Sequence, residues 1–185
     1  MASSQPDRER VAAFHLIDGA FKAGDMQALR EAVGNPPAFP NVSAPHDAIA
    51  CSLLQYAIYH SPIAFVRALL ELGADPNYDD GDGFPSLMAA LSCRPQPGTA
   101  GRNDVPELLE LLLDFGADAN MRGINDHTPL HYAAQTGDAS LVELLLARGA
   151  DPALPTRIDD LATPAQVAEA AGNSELALRL RRAGG

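Results

Sequence analysis

Similar segments recur along the chain at a spacing of about 33 residues. Gly116 and Gly149, which end two of these segments, are 33 residues apart, and so are Leu54 and Leu87. The interval from Gly73 to Gly116 is 43 residues, which is one period plus an insertion of ten. A period of this length indicates an array of small units, because each unit can bury its apolar stripe only against a neighbour. The repetition therefore predicts a solenoid of short stacked elements.

Helix boundaries can be identified from the residues of the clearest unit. Thr128 is placed to cap a helix that begins at Pro129, where no backbone N–H is needed. Gly137 and Gly149 suit the positive φ that ends a helix. In the preceding unit, residues 104–107 predict a capping box. A content of 46% hydrophobic and only 5% aromatic residues agrees with thin helical layers.

These segments resemble the ankyrin repeat family. Residues 128–134, Thr-Pro-Leu-His-Tyr-Ala-Ala, match the family pattern at nearly every position, and so does the later Gly149-Ala-Asp. The resemblance implies an all-α ankyrin-repeat solenoid of about five helix–turn–helix units with short β-hairpin connections, forming a single domain over residues 1–185. It implies the following parts: an N-terminal cap at about 8–34, units at about 47–77, 80–120 and 123–151, and a C-terminal cap at about 159–185.

The chain departs from the period at its ends, in a proline-rich connection between Gly34 and Cys51 that is longer than the period requires, and in one inserted loop. At the start, Val11, Phe14, Ile17 and Phe21 fall at helical spacing and predict one apolar face of the cap. The ten-residue insertion at 94–103 is polar and contains two arginines. Two interpretations of the insertion stay open: a tolerated surface loop, since loop closure costs little more as length grows, or a contact for a partner.

The net charge of −11 narrows the class of partner. Nucleic acids and anionic membranes are disfavoured, because both attract basic surfaces. Residues 46–151 contain 15 acidic and 5 basic residues, which predicts attraction to a partner with a basic surface. No apolar run has the length of a membrane span, and the N-terminal residues lack the pattern of a signal peptide, so a cytoplasmic location is expected. The strong bias for arginine over lysine suggests a bacterial source.

Candidate catalytic and metal sites are weak. Asp79, Asp80 and Asp82 resemble part of a calcium loop, but no glutamate completes it. His127 and His131 are four residues apart but lack a third zinc ligand in the sequence. The resemblance instead implies that His131 has a structural role, with its ring bonded to loop backbone. Cys51 and Cys93 are predicted to be free thiols. No metal, no cofactor and no catalytic residue are therefore expected.

The resemblance implies a non-catalytic scaffold that binds another protein through a concave groove of hairpin tips and first helices. An immunity- or inhibitor-type protein that masks a basic enzyme or toxin is the alternative, and a small-ligand or enzymatic role is a more distant one. A monomer is expected. Tyr59, Phe84 and Ile124 are the expected anchors, since a few apolar groups carry most interface energy. The full predicted partner-binding set is Tyr59, His60, Asp79, Asp80, Asp82, Phe84, Arg122, Ile124, Asn125, His127, Gln135, Thr136, Asp159 and Asp160.

Overall fold

The computed structural model describes residues 5–42, 44–45, 48–49, 51–78, 84–95, 101–158 and 161–185. These residues form ten α-helices and no β-strand, which confirms the predicted all-α class. The helices are α1 (Gln5–Ala23), α2 (Met26–Ala32), α3 (Leu53–His60), α4 (Ile63–Glu71), α5 (Ser86–Ser92), α6 (Val105–Asp114), α7 (Pro129–Thr136), α8 (Ala139–Ala147), α9 (Pro164–Ala170) and α10 (Ser174–Ala183).

The helices belong to two compact units, Met1–Asp82 and Gly83–Gly185. In the first unit, α1 packs on α2 and α3, and α3 packs on α4. In the second unit, α7 packs on α5, α8 and α9, and α9 packs on α10. The organisation of residues 1–185 as one domain stays a prediction.

The predicted β-hairpins are replaced by tight turns wherever the connections are described. Before α7 the chain makes a short 3-10 turn at Ile124–Asp126, and Asn125 within it has φ of 56°. The Gly123 N–H donates to the carbonyl of His127 at 2.9 Å, which closes this turn without a strand ladder. The connection therefore brings residues 124–127 next to the start of α7.

Local capping chemistry sets most helix ends as the residues predict. The Thr128 hydroxyl accepts from the His131 N–H, and Pro129 occupies the first turn of α7. Gly137 ends α7 with φ of 76°, a conformation that glycine adopts at little cost. Thr163 and Gln166 form a capping box at α9. The helix starts of the clearest unit and of the C-terminal cap thus follow from side chains three residues apart.

The predicted capping box at residues 104–107 is wrong. Asp104 precedes α6, but its side chain makes no capping hydrogen bond. Its carboxylate instead accepts from the Arg102 guanidinium, with Nε and Nη2 at 2.8 and 2.7 Å. A charge-assisted, bidentate bond to Arg102 competes successfully with a backbone N–H.

Two asparagines connect each turn to the next repeat. The Asn120 amide donates to the Gly149 carbonyl at 3.0 Å and accepts from the Asp151 N–H at 2.7 Å. In the first unit, Asn41 makes the same pair of bonds, to Gly73 at 2.8 Å and from Asp75 at 2.8 Å. Asn41 lies in the proline-rich connection between Gly34 and Cys51, which is longer than the repeat period requires. The longer connection therefore preserves a contact between repeats.

The apolar face predicted for the N-terminal cap is only partly correct. Ile17 and Phe21 are fully buried, but Val11 is 50% exposed. Helix α1 has 19 residues whereas its neighbour α2 has 7, so the first turns of α1 extend past the helix that covers it. The buried face consequently starts at Ala13.

The insertion at 94–103 is fixed at its base. Arg94 pairs with Asp138 at 3.1 Å, and Arg102 pairs with Asp104. The Arg102 N–H also donates to the Cys93 carbonyl at 2.6 Å. Both arginines of the insertion are therefore ion-paired with carboxylates of the second compact unit, Gly83–Gly185.

The two cysteines are reduced thiols, as predicted. Cys51 precedes α3 and Cys93 ends α5, and neither forms a disulfide. The Cys93 thiol donates to the Ala89 carbonyl, and burial raises the pKa of this thiol. Burial thus works against the reactive thiolate form of Cys93.

Candidate protein-binding cleft

A cleft of about 480 Å³ lies in the second unit, beside the connections that precede α7 and α9. Its apolar surface comes from Ile158, Val167 and three alanines, and carboxamides and a histidine contribute polar groups. The lining residues are Asn125, His127, Gln135, Thr156, Ile158, Ala162, Gln166, Val167, Ala170 and Ala171. None of them carries a formal charge at neutral pH with histidine neutral. The cleft is therefore suited to an uncharged, partly apolar group.

The wall of the cleft that comes from the last connection is held by its own hydrogen bonds. The Thr156 hydroxyl donates to the Ile158 carbonyl at 3.1 Å and accepts from the Ala162 N–H at 3.0 Å. The Thr156 N–H donates to the Ala162 carbonyl at 2.9 Å. On α9, the Gln166 Oε1 accepts from the Thr163 N–H at 2.8 Å. These bonds order both the connection and the start of α9 before any ligand binds.

Asp126 links the connection before α7 to the connection before α9 through ion pairs and hydrogen bonds. Its carboxylate is only 8% exposed and accepts from Arg122 Nη1 at 2.7 Å. It also accepts from Arg157 Nη2 at 2.6 Å and, through a short hydrogen bond, from the Arg157 backbone N–H. Arg122 donates in turn to the Pro155 carbonyl at 2.8 Å. The hydrogen bonds from Arg157 lower the pKa of Asp126 to about 2, so the carboxylate is ionised at neutral pH.

His131 also connects the start of α7 to the chain that leads into α9. Its ring is fully buried, Nε2 donates to the Ala162 carbonyl at 2.9 Å, and Nδ1 accepts from the Thr128 N–H at 3.2 Å. Burial lowers the pKa of His131 to about 4, which keeps the ring neutral. Because both ring nitrogens are used, His131 has no lone pair for a metal. The structural role that the resemblance implied for His131 is confirmed.

The cleft brings together three of the predicted partner-binding residues. Asn125, His127 and Gln135 line it, and Ile124 lies next to Asn125 with 47% of its surface exposed. Thr136 is exposed at the end of α7, and its hydroxyl donates back to the Ala133 carbonyl. Ile124 is thus an exposed apolar side chain next in sequence to a residue of the cleft, and its role as an anchor stays a prediction.

Arg122 and Asp126 have internal roles that the sequence did not indicate. The predicted set includes Arg122 as a partner contact, but its guanidinium is bonded to Asp126 and Pro155. Asp126 is one of the 15 acidic residues of the segment 46–151, but its carboxylate is buried between two arginines. Both side chains order the connection before α7.

The other predicted residues lie elsewhere. Tyr59 and His60 are exposed at the end of α3 in the first unit, with ring centroids 6.1 Å apart. Phe84 is half-buried just before α5 in the second unit. Asp79, Asp80, Asp82, Asp159 and Asp160 lie outside the described residues.

Sequence reasoning missed the half of the cleft that belongs to the C-terminal cap. Ile158 is 48% exposed, and Ala170 and Ala171 line the cleft at the end of α9. A signal was present, because Thr163-Pro164 repeats Thr128-Pro129 after 35 residues. At the same spacing, Ala170 and Ala171 occupy the positions that Gln135 and Thr136 occupy in the preceding repeat. The predicted set takes only Asp159 and Asp160 from this part of the chain.

The aspartates of the three Gly-Ala-Asp turns make the same hydrogen bond in each repeat. Asp75, Asp118 and Asp151 each accept a hydrogen bond at 2.8 Å from the backbone N–H two residues later. Such bonds are the Asx turns that short acidic side chains favour. These three carboxylates therefore stabilise the turns at the starts of the connections.

Paired helices in repeated register, joined by ordered turns that border a cleft, define a helical repeat protein. Residues 98–184 match the family model for ankyrin repeats (3 copies). The repeats of this part of the chain, just under half of its length, are therefore ankyrin repeats.

Several known proteins share the repeats. The Arabidopsis thaliana ADP-ribosylation factor GTPase-activating protein AGD2 is 51% identical over 49 residues, which are 26% of this chain and 6% of that protein. The mouse ankyrin repeat and SOCS box protein 16 is 37% identical over 87 residues, 47% of this chain and 19% of that protein. The human SH3 and multiple ankyrin repeat domains protein 2 is 32% identical over 136 residues, 60% of this chain and 7% of that protein.

The chain thus spans less than a fifth of the length of each of these relatives. All three relatives are eukaryotic, so they do not support the bacterial source that the arginine bias suggested. Within the described part of the chain, no helix is long and apolar enough to cross a membrane. The same residues contain no cluster of three or more His, Cys, Asp or Glu side chains that could hold a metal ion.

Proposed function

We propose that this chain is a non-catalytic scaffold that binds another protein in the cleft between α7 and α9. Ankyrin repeats are generally modules for protein–protein interaction. The observation that carries the proposal is the cleft itself, which combines an apolar surface with ordered carboxamide groups. Binding sites commonly pair apolar lining with a few placed polar groups.

A protein fits this surface better than a small molecule because apolar groups continue beyond the cleft. Ile158 lines the cleft and is 48% exposed, and Ile124 and Leu161, on the same two connections, are 47% and 59% exposed. Exposed apolar side chains that lie together mark interaction surfaces. A partner that covers all three would bury far more apolar area than a ligand confined to 480 Å³.

We further propose that long-range attraction favours a partner with a basic surface. The support is the net charge of −11, with the excess in residues 46–151. Asp79, Asp80 and Asp82 belong to this excess and are the proposed steering groups. The immunity- or inhibitor-type alternative depends on the same charge and has no additional observation in its favour. We also propose a cytoplasmic monomer. The same acidity supports the further proposal that it does not bind nucleic acid.

Filling the cleft tests the proposed function. Ala170→Trp is expected to abolish capture of the partner from lysates of cells that express the protein, because the indole would occupy the space for the partner's anchor. Ala147→Trp is the matched control, since Ala147 is also exposed, ends helix α8 and lies outside the cleft. Captured proteins are identified by quantitative mass spectrometry, with equal helicity of the variants checked by circular dichroism.

The expected result is a protein retained by the wild type and Ala147→Trp but lost with Ala170→Trp. Retention of the same proteins by all three chains would place binding outside the cleft and contradict the proposal.

A further inference from the structure

The described charges around the cleft are positive in sum, although the whole chain is acidic. Asp126 is shared by Arg122 and Arg157, so one carboxylate compensates two guanidinium groups. The Arg122 side chain is 19% exposed and is also bound to the Pro155 carbonyl. Arg157, by contrast, is 71% exposed in its side chain. Among the described residues, the positive charge that Asp126 does not balance is therefore most exposed to solvent at Arg157.

Only one edge of the Arg157 guanidinium is used within the described residues. Nε and Nη2 donate to Asp126, at 3.0 and 2.6 Å to Oδ1. No hydrogen bond of the described part of the chain involves Nη1. Because Asp126 holds both the side chain and the backbone N–H of Arg157, the guanidinium is oriented before a partner arrives. An arginine fixed in this way loses little entropy when it binds a second carboxylate.

The apolar part of the cleft begins at the next residue. Ile158 follows Arg157 directly and lines the cleft together with Val167 and Ala171. A cation and an apolar side chain of the cleft therefore come from consecutive residues of this connection. This juxtaposition favours a partner segment in which an apolar group and an acidic group are adjacent.

We propose that the cleft binds a partner segment in which an apolar side chain is adjacent to an aspartate or glutamate. The apolar side chain enters between Ile158, Val167 and Ala171, and the carboxylate pairs with Arg157. This inference rests on the proposed function and refines it. A partner with a basic surface elsewhere is acidic at this point of contact, where charge complementarity gives specificity more than affinity.

A random twelve-residue peptide library displayed on phage tests the proposal with the whole chain as bait. The selected peptides are expected to contain an apolar residue next to an acidic one. A synthetic peptide with this consensus is then titrated against the wild type and variants by fluorescence anisotropy. Ala170→Trp is expected to weaken binding at least about tenfold, as loss of an apolar anchor does.

Arg157→Ala is expected to weaken binding of the consensus peptide about two- to fivefold, the range of an exposed ion pair. Changing the acidic residue of the peptide to its amide should have the same effect, and the two changes together should have no larger effect than either alone. Arg179→Ala is the control, because Arg179 is also exposed and ion-paired, but lies on α10 away from the cleft. Thermal unfolding checks that each variant is folded.

The outcomes separate the inference from the proposed function. Peptides that are sensitive to Ala170→Trp but indifferent to Arg157→Ala and to amide replacement would overturn the inference and leave the proposed function intact. Peptides that are indifferent to both variants, or a library that yields no binding peptide, would overturn both. If Arg157→Ala unfolds the chain, the peptide amide and Ala170→Trp alone decide between these results.

Discussion

Replacing His131 by alanine is expected to lower the free energy of unfolding by about 3 kcal/mol or more. The substitution removes the ring nitrogen that accepts from the Thr128 N–H, removes one of the two hydrogen bonds to the Ala162 carbonyl, and opens a cavity in place of the ring. Both lost bonds matter for different reasons. The first stabilises the start of α7, and the second connects this repeat to the chain that leads into α9. Urea unfolding followed by circular dichroism measures the change.

His15→Ala is the control, because His15 is exposed on α1 and makes only an edge contact with the neighbouring Phe14. This change is expected to cost less than about 0.5 kcal/mol. Equal losses for His131→Ala and His15→Ala would show that the buried ring does not hold the repeats together.

A steady loss of stability is expected as the pH falls from about 6.5 to about 4. The pKa of His131 is lowered by burial to about 4, from its ordinary value of 6.5. In this window the unfolded chain binds a proton at His131 whereas the native chain does not, so protons favour unfolding. The contribution is fully present above pH 6.5 and has a slope of at most about 1.4 kcal/mol per pH unit.

His131→Gln tests this origin of the pH dependence. Glutamine retains a donor for the Ala162 carbonyl but does not titrate. Unfolding midpoints at pH 7, 6, 5 and 4.5 are expected to fall less steeply for the variant than for the wild type. The pKa of Asp126 is lowered from 3.8 to about 2, so its contribution starts to be lost only below about pH 5 and is shared by both chains. Parallel slopes for the two chains would exclude His131 as the source.

The fold was predictable because its signals are local. Thr128, Pro129 and Gly137 act on backbone within three residues of themselves, and the 33-residue spacing repeats such signals along the chain. The error at Asp104 has a local cause as well. An arginine two residues earlier offers the carboxylate a stronger bond than the helix start does.

The candidate site was less predictable because it depends on pairs that are distant in sequence. Asp126 and Arg157 are 31 residues apart, and in the sequence one resembles an exposed acid and the other an isolated base. Only their contact shows that the acid is structural and that the cation is presented to solvent. Ala170 was missed for another reason, since an alanine has no functional group to attract notice.

Hydrogen–deuterium exchange of the complex with the captured partner tests the central claim most directly. The expected result is slower exchange on binding in residues 121–127, in α7, in residues 154–158 and in α9, which surround the cleft. Exchange in α6, α8 and α10 should change little. Protection confined to those second helices, with α7 and α9 unaffected, would contradict binding in the cleft.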